Sequence, residues 1–224
     1  MELIGTFALC YVGGTAVSAE VPLSQVAIAH GFILCFMIYA GAHISGAHFN
    51  PAVTVGLISI KAFEPVIGGI YILFQLLGAI IAGVVVSLLS DSPSDCGCPG
   101  GVSSEYTLWQ GVVMETLATW FLMFVIMATA VDNRAPNGVF GIAIGGTLTM
   151  CICGIGPATG GALNPWRYYG PKLGALAVDG GWSGDNVGLY LSPFLGALIA
   201  AQMYQKLFLD EAMLLEKEDC DGNV

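Results

Sequence analysis

Runs of about 20 apolar residues, each long enough to cross roughly 30 Å of hydrocarbon, recur along this chain. Twice they are interrupted by an Asn-Pro that follows small residues: Gly46-Ala47-His48-Phe49-Asn50-Pro51-Ala52-Val53 and Gly161-Ala162-Leu163-Asn164-Pro165-Trp166-Arg167. Asn is a favoured N-cap, and Pro is tolerated at the first helical position because its missing N–H would be unpaired there anyway. Both stretches therefore predict helix starts. Inside a membrane such a start is allowed only where it is buried in protein or lines a watery cavity. Two of them, at equivalent places in two halves, point to a pore at the bilayer midplane.

Only 10% of the residues are charged and 56% are apolar, with a mean hydropathy of +0.79. A soluble domain carries about a quarter charged residues, so the composition is that of an integral, multi-pass membrane protein. The 31 glycines suit closely packed transmembrane helices. Six spans are predicted, at about 1–19, 23–43, 65–89, 108–131, a fifth reaching 155, and 186–209. The stretch from Asn50 to about Ile58 is too short to cross and reads as a re-entrant half-helix; a second begins at Asn164. With Met1-Glu2 leading straight into an apolar segment, and no basic region or cleavage site, the first segment reads as a span rather than a removed signal.

Three spans plus a half-helix thus occur twice, in halves 1–89 and 108–209 of one membrane domain, followed by an acidic tail at 210–224. Self-similarity supports the repeat. Met1-Glu2-Leu3-Ile4-Gly5-Thr6 resembles Met114-Glu115-Thr116-Leu117-Ala118-Thr119, and Asn164-Pro165 follows Asn50-Pro51 by 114 residues. An odd number of spans per half turns the second half upside down. Lys61, Arg134, Lys206 and Lys217 then share one side with both termini, which is expected to be cytoplasmic or its equivalent, and the 91–107 loop faces away.

The net charge of −10 disfavours a nucleic-acid partner, and half of it sits in the tail, where six acids face one Lys. That tail contains Asp210-Glu211-Ala212-Met213-Leu214-Leu215, which resembles an acidic dileucine sorting signal; the plainer reading is a solvated end of the last span. Cys10, Cys35, Cys151 and Cys153 fall in spans as small hydrophobes, while Cys96 and Cys98 sit in the long loop, expected as free thiols. No metal site, cofactor site or convergent nucleophile and base is legible, so no enzymatic activity is expected.

The two signatures resemble those of the aquaporin (major intrinsic protein) family. His43-Ile44-Ser45-Gly46-Ala47-His48-Phe49-Asn50-Pro51-Ala52-Val53-Thr54 is similar to the first, and Gly156-Pro157-Ala158-Thr159-Gly160-Gly161-Ala162-Leu163-Asn164-Pro165, with Arg167 and Gly170-Pro171, to the second. The resemblance covers essentially the whole chain. It implies an all-α membrane protein of six tilted helices and two re-entrant half-helices in an inverted repeat, usually a homotetramer embedded in lipid with one pore per subunit. Asn50, Pro51, Ala52, Asn164, Pro165 and Trp166 then lie at the pore midplane. Each Asn would cap its own helix with the side-chain carbonyl and aim its amide N–H at passing solute. The positive half-helix ends would repel cations and orient a central water so that it cannot relay a proton.

The family's second constriction, carried over by spacing, falls on His30, Ile152, Gly161 and Arg167. This set is similar to the filter of plant vacuolar-membrane aquaporins and their ammonia-permeable animal relatives. It implies passage of water and of small neutral solutes such as ammonia, urea or hydrogen peroxide. The His that some ammonia conductors place in the long outer loop is missing, since the three histidines are His30, His43 and His48. Glu2 and Glu115 are expected as structural carboxylates bonding backbone N–H groups of the adjoining loops, because an unpaired buried carboxylate is very costly. His43 and His48 are expected as loop anchors.

One residue departs from the pattern. Trp166 stands where the family has Ala, in a packed contact between the half-helices, and extra volume there forces rearrangement. Either the indole turns into space left by small neighbours, or the half-helix shifts and the pore narrows. The second outcome would fit an aquaporin-fold structural subunit of a larger membrane assembly. No targeting segment is legible, which leaves the plasma, a vacuolar or a mitochondrial membrane open.

Overall fold

In this computed structural model, which describes residues 1–91, 96–179 and 187–209, regular structure is helical throughout. The helices are α1 (Glu2–Ser18), α2 (Leu23–Ser45), α3 (Pro51–Ser59), α4 (Pro65–Leu89), α5 (Leu108–Ile126), α6 (Phe140–Thr159), α7 (Pro165–Asp179) and α8 (Ser192–Phe208). Local chemistry sets their limits. Asn50 and Glu64 cap α3 and α4 with their side chains, each followed by a proline at the first helical position. Gly46 and Gly160 end α2 and α6 in the left-handed region, at φ 75° and 78°.

The long helices α2, α4, α5 and α6 are apolar enough to cross a bilayer on their own. At 17 residues each, α1 and α8 are shorter and pack along α4 and α5 respectively. The same arrangement is built twice: α7 lies against α4 as α3 lies against α8, and α2 meets α6 across the centre. Phe32, Phe36, Leu73, Phe74, Phe121 and Leu195 point outward, the polarity expected when the surrounding solvent is lipid. Inside are small and polar residues, including Glu2, Gln75 and Glu115.

The fifth and sixth spans depart from their predicted bounds, while the fourth keeps its predicted end at Val131. The fifth span runs past 155 to Thr159, where the left-handed Gly160 stops it, and it carries Pro157 at the loss of one backbone hydrogen bond near its end. The predicted start of the sixth span, Asn186, lies outside the described residues; a 3₁₀ turn (Val187–Leu191) precedes α8, whose start is set by Ser192 and Pro193. The fourth span ends in a π-helical turn (Met127–Val131). The acidic tail and its dileucine-like stretch also lie outside the described residues.

Candidate pore and filter

The two Asn-Pro loops fold alike, residue for residue. Gly46, Ala47 and Phe49 have φ of 75°, 53° and 49°, and their counterparts 114 residues on, Gly160, Gly161 and Leu163, have 78°, 59° and 52°. Left-handed backbone at Ala47, Phe49 and Leu163 costs roughly 1 kcal/mol or more at each position, so something must hold it. Two buried carboxylates provide the bonds. Glu2 accepts from the backbone N–H of His48 (3.1 Å) and Phe49 (2.8 Å) and from the Ser45 hydroxyl (2.7 Å). Glu115 accepts from Ala162 and Leu163 (2.8 Å each) and from the Thr159 hydroxyl (2.6 Å). Gln75 adds a fourth donor to Glu2, at 2.7 Å, which sequence reasoning did not single out.

At the loop tips, the side-chain oxygens of Asn50 and Asn164 accept from the backbone N–H of Ala52 and Trp166, both at 2.9 Å. Each amide nitrogen also donates across to the other loop: Asn50 to the Leu163 carbonyl and Asn164 to the Phe49 carbonyl, again at 2.9 Å. The helix-capping geometry is the one expected from sequence. The reciprocal cross-link was not expected, and it fixes both amides while leaving each one N–H to spare.

A cavity of 1540 Å³ begins on the side of Lys61, Glu64 and Asp132 and reaches inward past Asn50 and Asn164 to Arg167. Its wall is mostly apolar, with Leu9, Leu34, Ile38, Ile144 and Leu148 facing the two amides. Trp166 does not line it. Of the residues expected at the midplane, Asn50 and Asn164 line the cavity and Pro51, Ala52, Pro165 and Trp166 do not; the Trp166 backbone joins the cap and its indole turns to α4. The ring nitrogen donates to the Ile72 carbonyl at 2.9 Å, and the ring rests half-buried among Phe7, Cys10, Tyr11, Ala79 and Ala82. The cause is the small-residue face of α4: Gly170 and Gly174 of α7 lie so close to it that a Cβ on either would overlap Ala79 or the Ile80 carbonyl.

One helical turn beyond Leu9, Leu34 and Leu148, on the side of the 91–107 loop, lie Gly13, His30 and Ile152. His30 and Arg167 are 1% and 2% exposed, and Ile152 is fully buried. Arg167 donates to the carbonyls of Gly161 and Gly160, while its Nε has no protein partner among the described residues. The His30 Nδ1 lies 2.8 Å from the Val26 carbonyl and must carry the proton, since a carbonyl only accepts. That leaves Nε2 as an unpartnered acceptor. Gly161 backs directly onto Ile152: a Cβ there would come within 3.1 Å of the Ile152 Cα. Arg167, Gly161 and Ile152 are thus in direct contact, and His30 stands one turn beyond Leu34 as Ile152 stands one turn beyond Leu148.

The 96–103 segment folds over this level. Gly97 sits on the backbone of Gly14, Pro99 packs on Gly160, Ser103 N–H bonds the Ala158 carbonyl, and Gly101 N–H reaches the hydroxyl of Tyr190, which in turn donates to Thr159. The Cys98 thiol is raised well above its ordinary range by its hydrogen bond with the Cys96 thiol and by burial. On the opposite side, His48 bonds the Thr54 hydroxyl (3.1 Å) and packs edge-on against Phe63 and Tyr71. His43, expected as a second anchor, is instead exposed on the last turn of α2, where Ser45 and not His43 is bonded to the loop.

Comparison with known proteins places this geometry. The family model described as "Major intrinsic protein" matches residues 1–204. The chain is 35% identical to aquaporin AqpM of Methanothermobacter thermautotrophicus, over 92% of this chain and 95% of that protein. It is 36% identical to nodulin-26 of Glycine max, over 91% and 74%, and 33% identical to aquaporin TIP4-4 of Zea mays, over 93% and 85%. The X-ray structure of the aquaglyceroporin from Plasmodium falciparum superposes with a TM-score of 0.80, at 26% identity, covering 96% of each chain.

Proposed function

This chain belongs to the major intrinsic protein family and is a multi-pass membrane channel for water or small solutes; on that premise we propose that it passes water and small neutral solutes such as ammonia, urea or hydrogen peroxide, and excludes ions and protons. Like other members of the family it is a passive channel and not an enzyme.

The observation that carries this reading is the continuity of the cavity past both Asn amides to Arg167, with the Trp166 indole outside it. A solute at the midplane meets amide N–H groups of Asn50 and Asn164 and the N-termini of α3 and α7. Those donors and dipoles favour a lone pair and oppose a cation. At the next level stand Arg167 and His30, both buried, with the Arg167 guanidinium held by the carbonyls of Gly161 and Gly160. The fixed charge of Arg167 raises the cost for cations further.

The competing role as a structural subunit with a narrowed pore was motivated by the bulk of Trp166 at the midplane. With the indole lodged against α4, that motive falls away. A homotetramer in lipid, with one pathway per subunit, is the assembly this reading carries. Osmotic shrinkage of proteoliposomes in a stopped-flow instrument tests it. Water permeability severalfold above that of empty vesicles is expected, together with measurable urea or ammonia flux and no proton conductance. Permeability equal to empty vesicles overturns the proposal.

A further inference from the structure

The His30 ring does not stand free in the pathway; it is stowed in a notch of α1. A Cβ built on Gly13 would lie 2.1 Å from Nε2, 2.2 Å from Cδ2 and 2.4 Å from Cε1 of that ring. Real Cβ atoms do not come within 3.0 Å of a neighbour, so the ring occupies space that exists only because residue 13 lacks a side chain. Gly13 lies well inside α1, with ordinary helical backbone, so no turn or left-handed conformation demands glycine there.

The opposite edge of the ring and the backbone beside it are also held. Nδ1–H is held by the Val26 carbonyl at 2.8 Å, and behind His30 the adjacent Gly31 presses α2 onto α6, where a Cβ would overlap Thr149 and the Gly145 carbonyl. A Cβ at residue 13 leaves the ring no room where it now rests, so the imidazole must turn about its side-chain torsions.

We infer that Gly13 is a specificity-setting positioning residue: its notch in α1 receives the His30 ring and so fixes the aperture between His30, Ile152 and Arg167. Gly13 touches no solute. It acts through where it lets His30 rest, and a methyl group at that position pushes the imidazole across the opening. The neighbouring Gly14 is a built-in control. A Cβ there would find only ordinary contacts, 3.4 Å from Val86 and 3.5 Å from the Cys96 carbonyl, and faces the overlying loop instead of the filter.

This inference rests on the channel reading, and its test keeps the two apart. The full chain and its Gly13→Ala, Gly14→Ala, His30→Ala and Gly13→Ala/His30→Ala variants are reconstituted at matched protein content, and water and urea permeabilities are measured. Gly13→Ala should lower both at least tenfold, and Gly14→Ala should change neither beyond twofold. His30→Ala should raise urea permeability relative to water, and the double variant should match His30→Ala within twofold. Wild-type permeability in Gly13→Ala overturns the inference. So does a double variant that stays well below His30→Ala, since Gly13 would then serve helix packing alone. If Gly13→Ala cannot be recovered folded, the comparison of the double variant with His30→Ala decides. If the unmodified chain does not conduct, the channel reading fails; a structure of Gly13→Ala still decides the positioning role, supported by an imidazole swung toward Arg167 and overturned by one still bonded to Val26.

Discussion

The two half-helix starts share nearly every bond, yet they part most sharply in bulk at the residue after the proline. In both, a buried carboxylate holds two loop N–H groups, one of them on a left-handed residue, and a hydroxyl; an Asn caps the helix, and its amide crosses to the opposite loop. The position after the proline is then Ala52 in the first and Trp166 in the second. Ala52 is fully buried in the central core, whereas Trp166 is half-buried at the seam of α1, α4 and α7. The lesson is that this position has two sides. The backbone N–H belongs to the cap and is the same in both, while the side chain faces away from the pathway and can take whatever the neighbouring helices leave room for.

That comparison breaks first at Ala52. The first half-helix packs on α8, and Gly56, one turn on, already has the Met123 side chain and the Ala197 carbonyl against it. Ala52→Trp should therefore cost more than about 3 kcal/mol, beyond the usual overpacking range, and yield no folded channel. Size-exclusion profiles and permeability check this; a folded, conducting Ala52→Trp would show that the two sites are equivalent after all.

Next come the carboxylates. Glu115→Ala leaves the N–H groups of Ala162 and Leu163 and the Thr159 hydroxyl without their acceptor, at about 1–3 kcal/mol each, so a loss of roughly 3 kcal/mol or more is expected. Glu2→Ala should cost less. Glu2 sits at the start of the first helix, 4% exposed against 0% for Glu115, and its partner Gln75 keeps a bond to Thr54. Thermal unfolding in detergent ranks the two, and a larger loss at Glu2 would contradict the account.

Trp166→Ala removes the indole packing and the bond to Ile72. Because the ring is half-buried, the cost should be about 2 kcal/mol, below the 3–5 kcal/mol of a fully buried aromatic. The smallest effect lies outside both loops. Asp132 accepts from the Arg134 guanidinium (2.9 and 2.6 Å), the Arg134 N–H and the Tyr204 hydroxyl, and these bonds, Arg134 first, hold its carboxyl well below the usual range. A depressed folded pKa adds stability above the unfolded value, near pH 4, that is lost as pH falls through the folded one. Asp132→Asn should therefore flatten the acid side of the stability profile below about pH 4. The change should be less than about 1 kcal/mol, since Arg134 is half exposed. An unchanged profile would remove Asp132 from the acid response.

What could be read from sequence was whatever is settled locally or by repetition. The caps at Asn50 and Asn164, the paired Glu2 and Glu115 and the spans follow from short motifs and from an offset of 113 or 114 residues, whereas His30, Ile152, Gly161 and Arg167 were placed only by the spacing of the family that the chain resembles. What could not be read depends on distant partners. The amide cross-links join residues 113 and 115 apart, and the Trp166 rotamer depends on small residues of α4 nearly 90 positions away. Gln75 and Tyr190, each a single polar residue in an apolar stretch, carried a signal of the kind that marks buried bonding partners, yet nothing in the pattern said which loops they would reach. The Gly13–Gly14 pair read only as close packing; the notch for His30 needed coordinates.

The central claim is that the second loop retains a working pathway although Trp166 replaces a small residue. The most direct measurement is stopped-flow water permeability of proteoliposomes carrying the unmodified chain and Trp166→Ala at equal density. Both should exceed empty vesicles severalfold and agree within about twofold, because the indole lies outside the cavity. A chain that conducts only after Trp166 is removed, or an unmodified chain no more permeable than bare lipid, would contradict the account.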